Sequence, residues 1–138
     1  MNEIESLIPH RDPFLFVDEL VQASKEKIVA RHVFTEKEFF FKGHFPSYPV
    51  VPGVILVETM AQSGGAGLRK LGVMDSNALF FLATVDKVKF RRQVRPGDEV
   101  RCEIENLRIS EKMIKQRGAS YVGDELAAEA EWMCLVGN

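Results

Sequence analysis

His44 and Glu58 lie fourteen residues apart, the first inside "GHFP" and the second near the middle of a helix-length apolar stretch that opens at Pro52-Gly53. An ionised carboxylate among apolar side chains is costly, so Glu58 must be paired, hydrogen-bonded or kept protonated. A protonated carboxylic acid can donate a proton, and an imidazole, with an ordinary pKa of about 6.5, can accept one near neutrality. Between the two falls the helix start, where the amides of Gly53 and Val54 point outward with the positive end of the macrodipole and offer a seat to a developing oxyanion. Acid, base and oxyanion seat in so short a stretch describe proton abstraction next to a carbonyl. The plain alternative for Glu58 is structural. Gln62, one turn on, shares its side of the helix, and the two make a polar stripe that either holds the Pro-rich loop or lines a site.

Those residues need a frame. Prolines at 46, 49 and 52 make the segment from Glu36 to Pro52 a loop, and its length favours a functional loop over a simple connection. The helix is expected from Gly53 to Leu71, with Gly72 as its stop. Val54, Ile55, Leu56, Val57, Met60, Ala61, Ala66, Leu68 and Leu71 leave it no wide polar face, which predicts burial. Gly64, Gly65 and Gly67 weaken it and imply close approach to a neighbouring element. Strand signals run over Phe14 to Val21, Lys27 to Phe34, Ala78 to Phe90, Val100 to Ile109, Met113 to Val122 and Leu126 to Val136. One all-apolar helix and about six antiparallel strands predict an α+β domain, 1–138, in which a curved sheet wraps around the helix.

The bulk numbers narrow the function classes. The chain has 138 residues, 46% of them hydrophobic, which suits one globular core. With 18 basic and 20 acidic residues the net charge is -2, so no whole-chain field favours nucleic acid. Cys102 and Cys134 fall in strand-like alternation and make no disulfide framework, which points to a reducing cytoplasm. No export signal or membrane-length apolar run is visible, and a soluble, unexported protein is expected. His10, His32 and His44 lack metal-ligand spacing, and "GGAGLRK" lacks the spacing of a nucleotide-binding loop.

The stretches "IPHRDPFLFVDEL", "GHFPSYPVVPGVILVETMAQSGG" and "DKVKFRRQVRPGD" resemble, over nearly the whole chain, the (3R)-3-hydroxyacyl-[acyl-carrier-protein] dehydratases of FabZ type. The resemblance implies a hotdog fold and a hydro-lyase of fatty-acid biosynthesis that converts a 3-hydroxyacyl thioester on carrier protein to the trans-2-enoyl thioester. By the same resemblance His44 takes the α-proton, Glu58 protonates the departing hydroxyl, and the amide of Gly53 holds the thioester oxygen. Val54, Phe45, Gln62 and Phe81 are the other substrate-binding positions, and no metal or cofactor is required. It further implies a homodimer with His44 from one chain and Glu58 from the other at each site, and a trimer of such dimers. Two positions depart from the family pattern: Phe81 stands where tyrosine is common, and Asp12 where an aromatic residue is usual. Glu58 itself separates the chain from the dehydratase/isomerase branch, which carries aspartate there.

In "DKVKFRRQVR", Lys87, Lys89, Arg91, Arg92 and Arg95 face only Asp86 in sequence, and strand alternation places Lys87, Lys89 and Arg91 on one face. This is either a solvated sheet face or a docking patch for the acidic carrier protein that the resemblance implies. The rival enzyme is a hotdog acyl thioesterase, which would use Glu58 to activate water and leave His44 without a clear role. A rival of another class is a non-catalytic acyl-binding subunit.

Overall fold

The computed structural model describes residues 2–137. The elements, in chain order, are α1 (Glu3–Leu7), β1 (Glu19–Ala23), β2 (Lys27–Val33), α2 (Gly53–Leu71), β3 (Leu79–Phe90), β4 (Glu99–Ile109), β5 (Met113–Val122) and β6 (Glu125–Gly137). The six strands form one antiparallel sheet in the order β1-β2-β4-β5-β6-β3. Helix α2 packs against β1, β2, β4, β5 and β6. Five strands about 4.8 Å apart span more than the width of one helix, so the sheet must curl to touch it from all of them. This is the hotdog arrangement the sequence predicts.

The expected alternation holds in β4, where Val100, Cys102 and Ile104 are buried, and in β6, where Ala128, Ala130, Trp132 and Cys134 are buried. Together with Ile28, Phe34, Leu56, Met60, Leu68 and Ile114 they form the core around α2. The helix starts after Pro52 without a side-chain cap and ends at Gly72, whose φ of 73° is the left-handed stop expected there. Its glycines are used for close approach. A Cβ at Gly67 would meet Ile28 of β2 at 2.5 Å, and one at Gly64 would run into the Gln116 side chain of β5. That glutamine is fully buried, accepts from Trp132 Nε1 at 3.1 Å and donates to the Gly64 carbonyl at 3.3 Å.

Three expectations need correction. A short helix, α1, stands where no element was expected; Asn2 caps it, its side chain accepting from the Glu5 amide while Glu5 accepts from the Asn2 amide. The first strand begins at Glu19 rather than Phe14. The Phe16 amide and the Phe14 carbonyl are bonded to the Gln62 side chain, so this stretch pairs with a helix residue and not with a strand. The alternation of Lys87, Lys89 and Arg91 is also interrupted. Between Asp86, opposite Glu131, and Lys89, opposite Glu129, the register of β3 steps by one residue. Lys87 sits in that bulge with φ 53°, so a strict two-residue period does not carry across it.

Candidate functional site

The stripe of α2 that carries Val54, Glu58 and Ala61 is the least covered side of the helix, because these positions at i, i+4 and i+7 recur on one face. Glu58 projects from it into a cavity of about 230 Å³, lined mainly by Ala61, Ala78, Leu79, Phe80, Phe81 and Leu82. Gln62 does most of the bracing. Its Nε2 donates to Glu58 Oε2 at 2.9 Å and to the Phe14 carbonyl at 3.0 Å, and its Oε1 accepts from the Phe16 amide at 2.8 Å. The polar stripe therefore does both things the sequence allowed. It lines a cavity and it holds a loop, but the loop held is the N-terminal Phe14–Phe16 stretch, not the Pro-rich one.

His10, part of the "IPHRDPF" stretch, is brought to Glu58 by the fold. Its Nε2 lies 3.6 Å from Glu58 Oε2, and its Nδ1 is buried with no hydrogen-bond partner among the described residues. Burial pushes the His10 pKa down, and the field of Arg11 adds to that, against the opposing pull of Glu58. The surroundings therefore favour the neutral form of the ring beside the Glu58 carboxyl. Forty-eight residues separate the two in sequence, and no spacing rule links them. Cys134 lines the same cavity; burial and the Glu58 carboxylate push its thiol up to about 11, so it stays protonated there.

His44 occupies a second cavity, with Val50, Val51, Gly53, Leu56, Phe90 and the stretch from Arg91 to Val94. Its Nδ1 is 3.2 Å from the Val50 carbonyl, which can only accept, so the proton sits on Nδ1 and the lone pair of Nε2 is left free. The Phe45 ring stacks on the imidazole, centroids 3.9 Å apart. At the helix start the amides of Ile55 and Leu56 turn back to the Pro52 carbonyl, while those of Gly53 and Val54 have no protein acceptor among the described residues. Donor and imidazole thus share a cavity. Gly53 also needs its missing side chain, since a Cβ would meet the Phe90 ring at 2.6 Å.

His44 and Glu58 do not share a cavity within one chain. Five residues along α2 rotate the helix by roughly 140°, so the Gly53 end where His44 sits and the Glu58 position face different sides. Phe81, more than half exposed, stands at the Glu58 cavity, and Val54 is 74% exposed.

The basic segment is less bare than its sequence suggests. Glu131 lies 3.5 Å from Lys87, Glu129 lies 3.0 Å from Arg91, and Arg92 reaches Glu125 at 3.5 Å and Asp98 at 3.8 Å. Arg95 lies over the Tyr48 ring at 4.7 Å. Arg91 and Arg92 nevertheless line the His44 cavity.

Residues 8–131 match the FabA-like domain family. Over 137 residues the chain is 45% identical to a protein of Pelotomaculum thermopropionicum named 3-hydroxyacyl-[acyl-carrier-protein] dehydratase FabZ, an alignment that covers 99% of this chain and 97% of that one. The chain belongs to the FabZ family of dehydratases. A second member, from Desulforamulus reducens, is 44% identical over 139 residues, covering 100% of this chain and 97% of its own. Among solved structures, the dehydratase heterocomplex ApeI:P from Xenorhabdus doucetiae aligns with a TM-score of 0.85, covering 100% of this chain and 93% of that one. At 17% identity the likeness is one of fold. Among the described residues no helix is long and apolar enough to cross a membrane.

Proposed function

We propose that this FabZ-family enzyme removes water from a (3R)-3-hydroxyacyl chain on acyl-carrier protein, giving the trans-2-enoyl thioester, as a step of fatty-acid biosynthesis in the cytoplasm. Nε2 of His44 takes the α-proton. The electron pair moves toward the thioester carbonyl, whose oxygen is held by the amide of Gly53 with that of Val54 beside it. The β-hydroxyl leaves as water with the proton delivered by Glu58, and the double bond closes between the α- and β-carbons. Glu58 has then lost a proton to the departing water and His44 holds the one taken from the α-carbon, so His44 must lose a proton and Glu58 regain one, by exchange with water, before the next turnover.

The observation that carries this reading is the division of the machinery. The imidazole with a free Nε2 and the uncapped helix start share one cavity, and the carboxylate lies in another lined mainly by apolar side chains. A two-fold copy completes both. In the homodimer we propose, each site takes His44 from one protomer and Glu58 from the other, and three such dimers assemble further. The exposed Phe81, Leu82 and Val85 on the sheet-edge strand β3, with Val54 on α2, are the apolar surface available for that contact. Phe45, Gln62 and Phe81 bound the acyl chain. Phe81 fills or blocks by packing alone, since it has no hydroxyl to bond. The carrier protein docks at the mouth of the His44 cavity on Lys87, Lys89, Arg91, Arg92 and Arg95, using the charge their carboxylate neighbours leave unmatched. The deciding assay incubates purified protein with a 3-hydroxyacyl-carrier thioester. Enoyl absorbance with the thioester intact is the expected result, and released thiol would establish hydrolysis instead.

A further inference from the structure

His32, on β2, is buried in T-shaped contact with the Phe16 and Phe34 rings, yet both of its nitrogens meet carboxylates. Nδ1 is 2.8 Å from Asp18 Oδ1 and Nε2 is 3.0 Å from Glu38 Oε1. A neutral imidazole has one N–H and a carboxylate only accepts, so satisfying both contacts requires the imidazolium. Neither carboxylate is free to leave: Asp18 Oδ2 accepts from the Val33 amide at 2.8 Å, and Glu38 Oε2 accepts from the Thr35 amide at 2.9 Å. The neighbouring charges are committed elsewhere. Arg31 pairs with Glu19 and Glu99, and the β4 residue opposite His32 is Val100.

Glu38 stands at the head of the loop that ends in His44. The Phe41 amide donates to the Glu38 carbonyl at 3.3 Å, and the amides of Gly43 and His44 both donate to the Phe40 carbonyl, at 3.2 and 2.9 Å. The Phe40 ring is buried against Phe16 and Phe34, the rings that enclose His32. A short, hydrogen-bonded path therefore runs from His32 through Glu38 to the backbone of His44.

We propose that His32 is a positioning residue for the His44 loop: its imidazolium ties the loop, through Glu38, to the start of β1, through Asp18, and so fixes where His44 stands. The consequence for turnover rests on His44 being the base; the tie itself does not. Burial alone would lower the His32 pKa, but the hydrogen bonds and charges of Asp18 and Glu38 outweigh it and raise it to about 9, so the ring is charged at neutral pH.

The test uses the intact oligomer and three measurements. Nitrogen chemical shifts of the wild-type His32 ring should show both nitrogens protonated near pH 7.5, and a single protonated nitrogen overturns the proposal. Amide exchange in His32→Gln should rise about tenfold over residues 36–46 and stay near wild type in β4 and β5, as expected on removing a hydrogen bond to a charged group. Exchange unchanged over 36–46, or raised equally everywhere, overturns it. The same variant should lose about tenfold in kcat with KM nearly unchanged, and wild-type kcat would refute the positioning role. If His32→Gln does not fold, the wild-type ring measurement decides alone. If His44→Ala keeps its activity, the base assignment falls while the exchange data still judge the tie.

Discussion

Replacing Gln62 with leucine should separate the structural and the chemical work of the polar stripe. Gln62 is 2% exposed, and leucine fills a similar volume without hydrogen bonds. The substitution leaves the Phe16 amide without its 2.8 Å acceptor and the Phe14 carbonyl without its 3.0 Å donor. Phe14 is partly exposed, so water can serve its carbonyl, whereas Phe16 is fully buried and its amide cannot be rescued. One unsatisfied buried amide costs about 1–3 kcal/mol. For a domain of this size that lowers Tm by roughly 3–10 °C. Glu58 also loses the donor at 2.9 Å that fixes its carboxyl, and kcat should fall about tenfold, the size of one lost hydrogen bond. The assay is thermal unfolding by circular dichroism at one fixed protein concentration, because the Tm of an oligomer depends on concentration. Glu58→Gln is the control: it keeps both backbone bonds of Gln62 and should leave Tm within about 1 °C of wild type while abolishing turnover. A Gln62→Leu protein that melts with the wild type would refute the claim that this side chain carries the Phe14–Phe16 stretch.

The other predictions concern charge and packing. Reversing Arg91 and Arg92 to glutamate should reduce kcat/KM on carrier-bound substrate far more than on a small thioester, and the difference should shrink at high salt; equal losses on both would remove docking as their role. Gly67→Ala gains about 1 kcal/mol of helix propensity, but its Cβ would stand 2.5 Å from Ile28, so net destabilisation of up to about 2 kcal/mol is expected and a raised Tm would contradict the packing. The raised pKa of His32 stabilises the folded state most below pH 6.5, where the unfolded histidine is also charged. That contribution, about 3 kcal/mol at most, declines as pH rises and is gone above about 9. The stability gap between wild type and His32→Gln should follow the same course, and a gap independent of pH between 6 and 9.5 would show that the ring is not charged in the fold.

The fold was legible because periodicity and punctuation agreed. Proline and glycine bracket α2, and the alternation of Val100, Cys102 and Ile104 marks an inner face without reference to any partner. The first strand was misplaced for a reason local pattern cannot reveal: Phe14 to Val17 has strand composition, but its backbone partner is a glutamine forty-six residues away. Alternation likewise failed at Lys87, where the bulge depends on register against β6. Of the candidate site, His44 and Glu58 were visible because a polar residue in an apolar context demands a reason. His10 was marked only by its place in the "IPHRDPF" stretch and His32 not at all, since what distinguishes them is the carboxyl group each meets in space, from the helix in one case and from two separate segments in the other. The basic segment read as unopposed because its counterions lie mostly on β6, far along the chain.

Complementation between two inactive variants tests the shared site most directly. His44→Ala and Glu58→Gln, each inactive alone, are unfolded, mixed in equal amounts and refolded together. In every mixed dimer one of the two sites then combines an intact His44 with an intact Glu58, and since half the dimers are mixed, about a quarter of wild-type dehydratase activity should return. A mixture no more active than the separate variants, with mixed dimers shown to be present, would mean that His44 and Glu58 do not meet across a subunit boundary.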